Sequence, residues 1–121
     1  MKALIPLVVL GALALAGCVT ADTTVTTITP QQVYVGANAF DAVEATATKY
    51  LQLPLCPGAA VCRTAKVTNL IVPPVRLGRQ ARNALEAYVK SHPGSPIPVS
   101  LATALSAQVS ALQAIFTQYG I

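Results

Sequence analysis

Few side chains in this 121-residue sequence could do chemistry. They are three thiols (Cys18, Cys56 and Cys62), one imidazole (His92), an acidic pair three residues apart (Asp41 and Glu44) and an arginine series at the same spacing (Arg76, Arg79 and Arg82). Nucleophilic catalysis needs a base beside the nucleophile. His92 stands directly before Pro93 at an expected helix end, where an imidazole more readily meets the last helix carbonyls than a substrate. Asp41 and Glu44 would share a helix face but have no histidine or further acid near them in sequence, so a solvated pair is expected. A phosphate-cradling Gly-rich loop, HExxH and GxSxG are all missing from the sequence. No catalytic residue and no metal ligand set is assigned, and a non-enzymatic protein is expected.

Cys18 closes a different pattern. Lys2 is a minimal positive start, and Ala3 to Ala16 is apolar, which suits a signal-peptide h-region. At 1.5 Å per residue it is short for a hydrocarbon core of about 30 Å, and no stop-transfer pattern follows. Small residues at Ala16 and Gly17 let the backbone enter a peptidase cleft. The tetrapeptide Leu15-Ala16-Gly17-Cys18 resembles the lipobox of bacterial lipoproteins. That resemblance, confined to the first 18 positions, implies cleavage before Cys18, a diacylglycerol thioether on its sulfur and an N-acyl group on the new terminus. Beyond this covalent lipid no cofactor is expected. Two or three acyl chains on one residue hold a protein to a bilayer far better than one. Val19 stands where an Asp commonly marks inner-membrane retention, so the resemblance places the protein at the periplasmic face of the outer membrane.

The remaining thiols, Cys56 and Cys62, are even in number in an exported chain, and Pro57-Gly58 supplies a turn between them. A disulfide is expected, since a metal site would need more ligands than two thiols and a distant His92. A redox pair would more often be CxxC at the start of a helix.

Net charge is +4, unevenly spread. Val19 to Thr48 contains only acids; Arg63 to Lys90 is basic apart from Glu86; from Ser91 onward only His92 can carry a side-chain charge. The Arg76, Arg79, Arg82 face is read either as a solvated helix surface or as a surface for anionic lipid or an anionic envelope polymer. It lacks the row of stacking aromatics that single-stranded nucleic acid favours, and export also argues against nucleic acid. The expected partners are the membrane, through the anchor, and an envelope protein or polymer.

The elements that would position these groups follow from periodicity. Cleavage divides the chain into a signal peptide (1–17), a lipidated cysteine and tether (18–28) and a helical domain (29–121). The tether is Thr-rich, reads as flexible extended chain and has no evident strand partner. Thr29, Pro30 and Gln32 form a capping-box start for a helix over 30–52, its apolar stripe being Val33, Ala37, Phe40, Val43, Ala47 and Tyr50 or Leu51. The 63–72 stretch is ambiguous between a helical turn and extended chain, and Pro73 predicts a break at Val72. A second helix is expected over 74–91 on Leu77, Ala81, Ala84, Leu85 and Tyr88, with Gly78 a tolerable weak point. A third starts between Ser95 and Pro98, follows Leu101, Leu105, Leu112 and Tyr119, and ends at Gly120. Together these predict an all-α domain, a small antiparallel three-helix bundle with one disulfide-closed loop. In function the sequence points to a lipid-anchored, non-catalytic envelope module, the alternative being a phage- or prophage-encoded envelope lipoprotein active in superinfection exclusion or lysis.

Overall fold

Thr29 starts the first helix as a reciprocal cap. In the computed structural model, which describes residues 26–121, its backbone N–H donates to Gln32 Oε1 at 2.8 Å while Gln32 N–H donates to Thr29 Oγ1 at 3.3 Å. Pro30 occupies the first helical position, where no N–H is needed. Helix α1 spans Pro30–Leu51 and buries Val33, Phe40, Val43 and Ala47. The expected signal peptide, the Leu15–Cys18 tetrapeptide and most of the expected tether lie outside the described residues.

The second helix departs from expectation. Helix α2 spans Ala65–Ser91 and carries Pro73 and Pro74 in its interior, so there is no break at Val72. Thr64 caps it, its hydroxyl accepting from Val67 N–H at 3.2 Å. The prolines leave the carbonyls of Asn69 and Leu70 without their usual donors, a defect of about 3 kcal/mol or more per interior proline. Both residues are exposed, which lets water reach that side of the helix. Against the defect stands burial: Val67, Ile71, Pro74, Val75 and Gly78 form one inward stripe that runs through the prolines. Ending the helix at Val72 would pull Val67 and Ile71 from the core, each worth about 1.5–3 kcal/mol. Tertiary packing therefore overrides the local preference of the residue before proline.

Between α2 and the third helix, Ile97 and Pro98 are extended rather than helical. They form β2 (Ile97–Pro98), which pairs antiparallel with β1 (Thr27–Ile28), Thr27 opposite Pro98 and Ile28 opposite Ile97. Val99 N–H donates to Thr26 O at 3.0 Å. Thr27 and Ile28, read from sequence as the end of a partnerless tether, thus belong to the folded body. Ile97 is 2% exposed and joins the core. Helix α3 spans Val99–Tyr119 and closes on Gly120 at φ 66°, where glycine has no Cβ to strain the left-handed conformation. By length and composition α3 could cross a membrane, yet it contributes Leu105 and Leu112 to the bundle core.

Cross-helix contacts set the topology. Glu44 and Asp41 of α1 meet Arg79 and Arg82 of α2 in reversed order, and Tyr50 Oη accepts from Thr64 N–H at 2.9 Å. Lys66, near the start of α2, lies 5.9 Å from the ring of Tyr119 at the end of α3. The chain therefore runs up, down and up, with α1 and α3 parallel and their starts joined by the short ladder. Phe40, Ile71, Leu85, Ile97, Leu105 and Leu112 are the large side chains fully enclosed between the three helices.

Gly78 holds the tightest point. A Cβ placed there would lie 2.9 Å from Phe40 Cδ2 and closer still to Cε2 and Cζ. Far from a weak position in α2, it is the socket for the Phe40 ring. Alanine gains about 1 kcal/mol in helix propensity but overpacks a fully buried ring, and overpacking costs about 1–3 kcal/mol. Gly78→Ala should therefore lower the urea unfolding midpoint, and adding Phe40→Leu should recover part of the loss. An unchanged midpoint in Gly78→Ala would contradict this packing.

Candidate functional site

The sequence-predicted arginines all lie on α2 where it passes α1, but they are not equivalent. Three-residue spacing puts Asp41 and Glu44 on one face of α1, and the same spacing puts Arg79 and Arg82 on the facing side of α2. Because the helices run in opposite directions, the two pairs match. Arg79 Nε contacts Glu44 Oε1, and Arg82 Nη1 lies 3.0 Å from Asp41 Oδ1. Glu86 Oε1 is 3.3 Å from Arg82 Nε, a distance compatible with ion pairing. That enclosed N–H nevertheless makes no hydrogen bond, so the Glu86 contact is Coulombic and poorly aligned.

Arg76, one turn earlier, is exposed and has no carboxylate partner among the described residues. It borders an open groove over Leu51, Val72 and Val75, with Thr48, Gln80 and Asn83 on its rim beside Arg79. The unpaired basic face is thus narrower than the three arginines of the sequence implied. Two of its three guanidiniums already meet carboxylates, and Asp41 and Glu44 are partners in a ladder rather than a free solvated pair. The signal was present as two acids and two arginines at equal spacing on adjacent antiparallel helices.

Cys56 and Cys62 are bonded, with Cα atoms 5.1 Å apart. Arg63, counted from sequence among the basic residues, acts as a strut for this loop. Its Nε donates to Leu53 O at 2.9 Å, its Nη1 to Thr68 Oγ1 at 3.1 Å, and its backbone N–H to Pro54 O at 2.9 Å. Its own carbonyl accepts from Cys56 N–H at 3.1 Å. One side chain thereby ties the end of α1 to the start of α2. Leu55, just before the closed loop, and Val61 within it remain exposed.

His92 lies where the sequence put it, at the end of α2. Its Nδ1 is 3.1 Å from Tyr88 O and 2.9 Å from Ser91 Oγ, and its ring stacks on Tyr88 at 4.2 Å. Tyr88 Oη donates to Pro96 O at 3.2 Å, so the aromatic pair braces the turn into β2. Gly94, at φ 75°, makes that turn possible. Among the described residues no group of three or more His, Cys, Asp or Glu side chains is placed to hold a metal ion. Cys18 lies outside them.

No family model, no curated protein and no solved structure matches the chain.

The arginines should separate by substitution. Arg76→Ala is expected to change unfolding free energy by less than about 0.5 kcal/mol. Arg82→Ala, which removes the Asp41 and Glu86 contacts and a half-buried stem, should cost about 1 kcal/mol at low salt and less at high salt. Equal losses for the two variants would contradict the pairing. Reduction of the Cys56–Cys62 bond should lower stability by about 2 kcal/mol, since a short loop is no longer closed in the unfolded chain; denaturation with and without reductant measures it.

Proposed function

We propose that this chain is a lipid-anchored, non-catalytic envelope protein, held by acyl chains on Cys18 at the periplasmic face of the outer membrane. The observation that supports it is the tetrapeptide Leu15-Ala16-Gly17-Cys18 at the end of a short apolar run that follows Lys2. Thr26, the first described residue, lies eight residues after Cys18, and the strand that follows it is paired with β2. A pull transmitted from Cys18 would therefore reach a ladder that joins the starts of α1 and α3, not a frayed helix end.

The surfaces offered outward are helix faces and open grooves, which suit docking better than turnover. Arg76 and the exposed edge of Arg79 over the Leu51–Val72–Val75 groove form the candidate contact for an envelope protein or an anionic envelope polymer. The covalent lipid on Cys18 is the one added group the reading requires.

Two outcomes are expected. Intact mass of the membrane-fraction protein should show acylation, and Cys18→Ser should lose it and leave that fraction; normal maturation and retention of Cys18→Ser would reject the anchor. Replacing Arg76, Arg79 and Arg82 by Ala should abolish capture of envelope partners while membrane fractionation is unchanged. Arg76→Glu alone should do most of this, because Arg79 and Arg82 also serve the fold. Undiminished capture in both variants would reject the surface.

A further inference from the structure

The two most exposed large apolar residues of α1, Tyr34 at 67% and Val35 at 65%, lie in its first two turns. They sit about one turn beyond Pro30, at the same end of the bundle as Thr26, the first described residue. A shallow apolar hollow beside them is formed by Pro30, Val33, Tyr34 and Val89, with Glu86 and Lys90 at its edge. Glu86 is already beside Arg82, whereas Lys90 has no acidic partner among the described residues. An amphipathic ring, a valine and an unpaired ammonium at one end of a helical body make a surface suited to the boundary between phospholipid headgroups and acyl chains.

We propose that this end of the bundle, through Tyr34, Val35 and Lys90, rests on the headgroup layer of the bilayer that carries the anchor. The proposal depends on acylation of Cys18. Its occupant follows from chain length: from Cys18 to Thr26 eight residues span at most about 27 Å, so this end cannot leave the vicinity of the lipid. Confinement raises the effective concentration of membrane at the patch, so weak intrinsic affinity is enough for docking. Lys90 adds attraction to anionic headgroups. The exposed Leu55 and Val61, at the disulfide loop, stand beyond the opposite end of α1, which is about 26 Å from Tyr34 along the helix. With the Tyr34 end down, that loop points away from the bilayer, and the Arg76 groove is carried clear of the headgroups toward a partner.

The chain contains no tryptophan, so a single one reports its own surroundings. Tyr34→Trp and Val61→Trp proteins, full-length and purified from membranes, are reconstituted in phosphatidylethanolamine–phosphatidylglycerol vesicles whose acyl chains are brominated near the headgroup end. Bromine should quench roughly half of the emission from position 34 and little from position 61, as expected for an aromatic side chain at the interface. Val35→Trp should behave as position 34, and Lys90→Glu should weaken the quenching. Intact mass of the same samples reports acylation. Protein that carries no lipid rejects the anchor; acylated protein unquenched at positions 34 and 35 rejects the docking alone. Shielding of those positions by a second copy gives that same unquenched result and also overturns the proposal, as does equal quenching at 34 and 61, which would mean a body lying flat.

Discussion

The seat of Phe40 on Gly78 is the contact from which the rest of the bundle takes its register. Phe40 is fully buried, and only a residue without a Cβ leaves room for its ring against α2. Such close approach fixes how far α1 can slide along α2, because one residue of slip would drive the ring into a side chain. With that register set, Glu44 falls beside Arg79 and Asp41 beside Arg82. These partly exposed ion pairs are individually weak, about 0.2–1 kcal/mol each. They are better regarded as a consequence of the packing than as its cause.

The same register explains why α2 continues through two prolines. The segment before them carries Val67 and Ile71, which complete the core at the end where α1 stops. At that end the disulfide and Arg63 close the loop between the two helices, and Tyr50 accepts from the backbone N–H of Thr64, the residue that caps α2. At the other end the β1–β2 pair and the Tyr88–His92 stack brace the turn into α3. The bundle is thus tied at both ends by covalent or hydrogen-bonded links, and between them by one buried apolar layer.

Charge is distributed according to this architecture. The α1–α2 seam holds its acids and most of its arginines in pairs, α3 has no charged side chain, and Arg76, near the middle of α2, and Lys90, in its last turn, have no carboxylate partner among the described residues. Fourteen residues separate the two cations, about 21 Å along the helix, so they serve different parts of the surface. The proposed membrane contact uses the end of the bundle near Lys90, and the proposed partner surface uses its side at Arg76.

Much of this was legible in the residues themselves, and what was not has one physical cause. Thr29-Pro30-x-Gln32 sets the start of α1, Gly120 sets the end of α3, and an even pair of thiols across Pro-Gly forms a bond, because each depends on residues close together in the chain. The stripes of α1 and α3 were readable for the same reason. The passage of α2 through Pro73 and Pro74, the socket at Gly78 and the capture of Thr27–Ile28 by Ile97–Pro98 were not, since each is decided by an element distant in sequence. Likewise, arginine spacing marked a basic face, but only the antiparallel apposition of α1 and α2 decided that Arg79 and Arg82 meet carboxylates while Arg76 does not. Local geometry can be inferred from local chemistry; which charge is neutralised, and which glycine is indispensable, depends on what the fold brings opposite it.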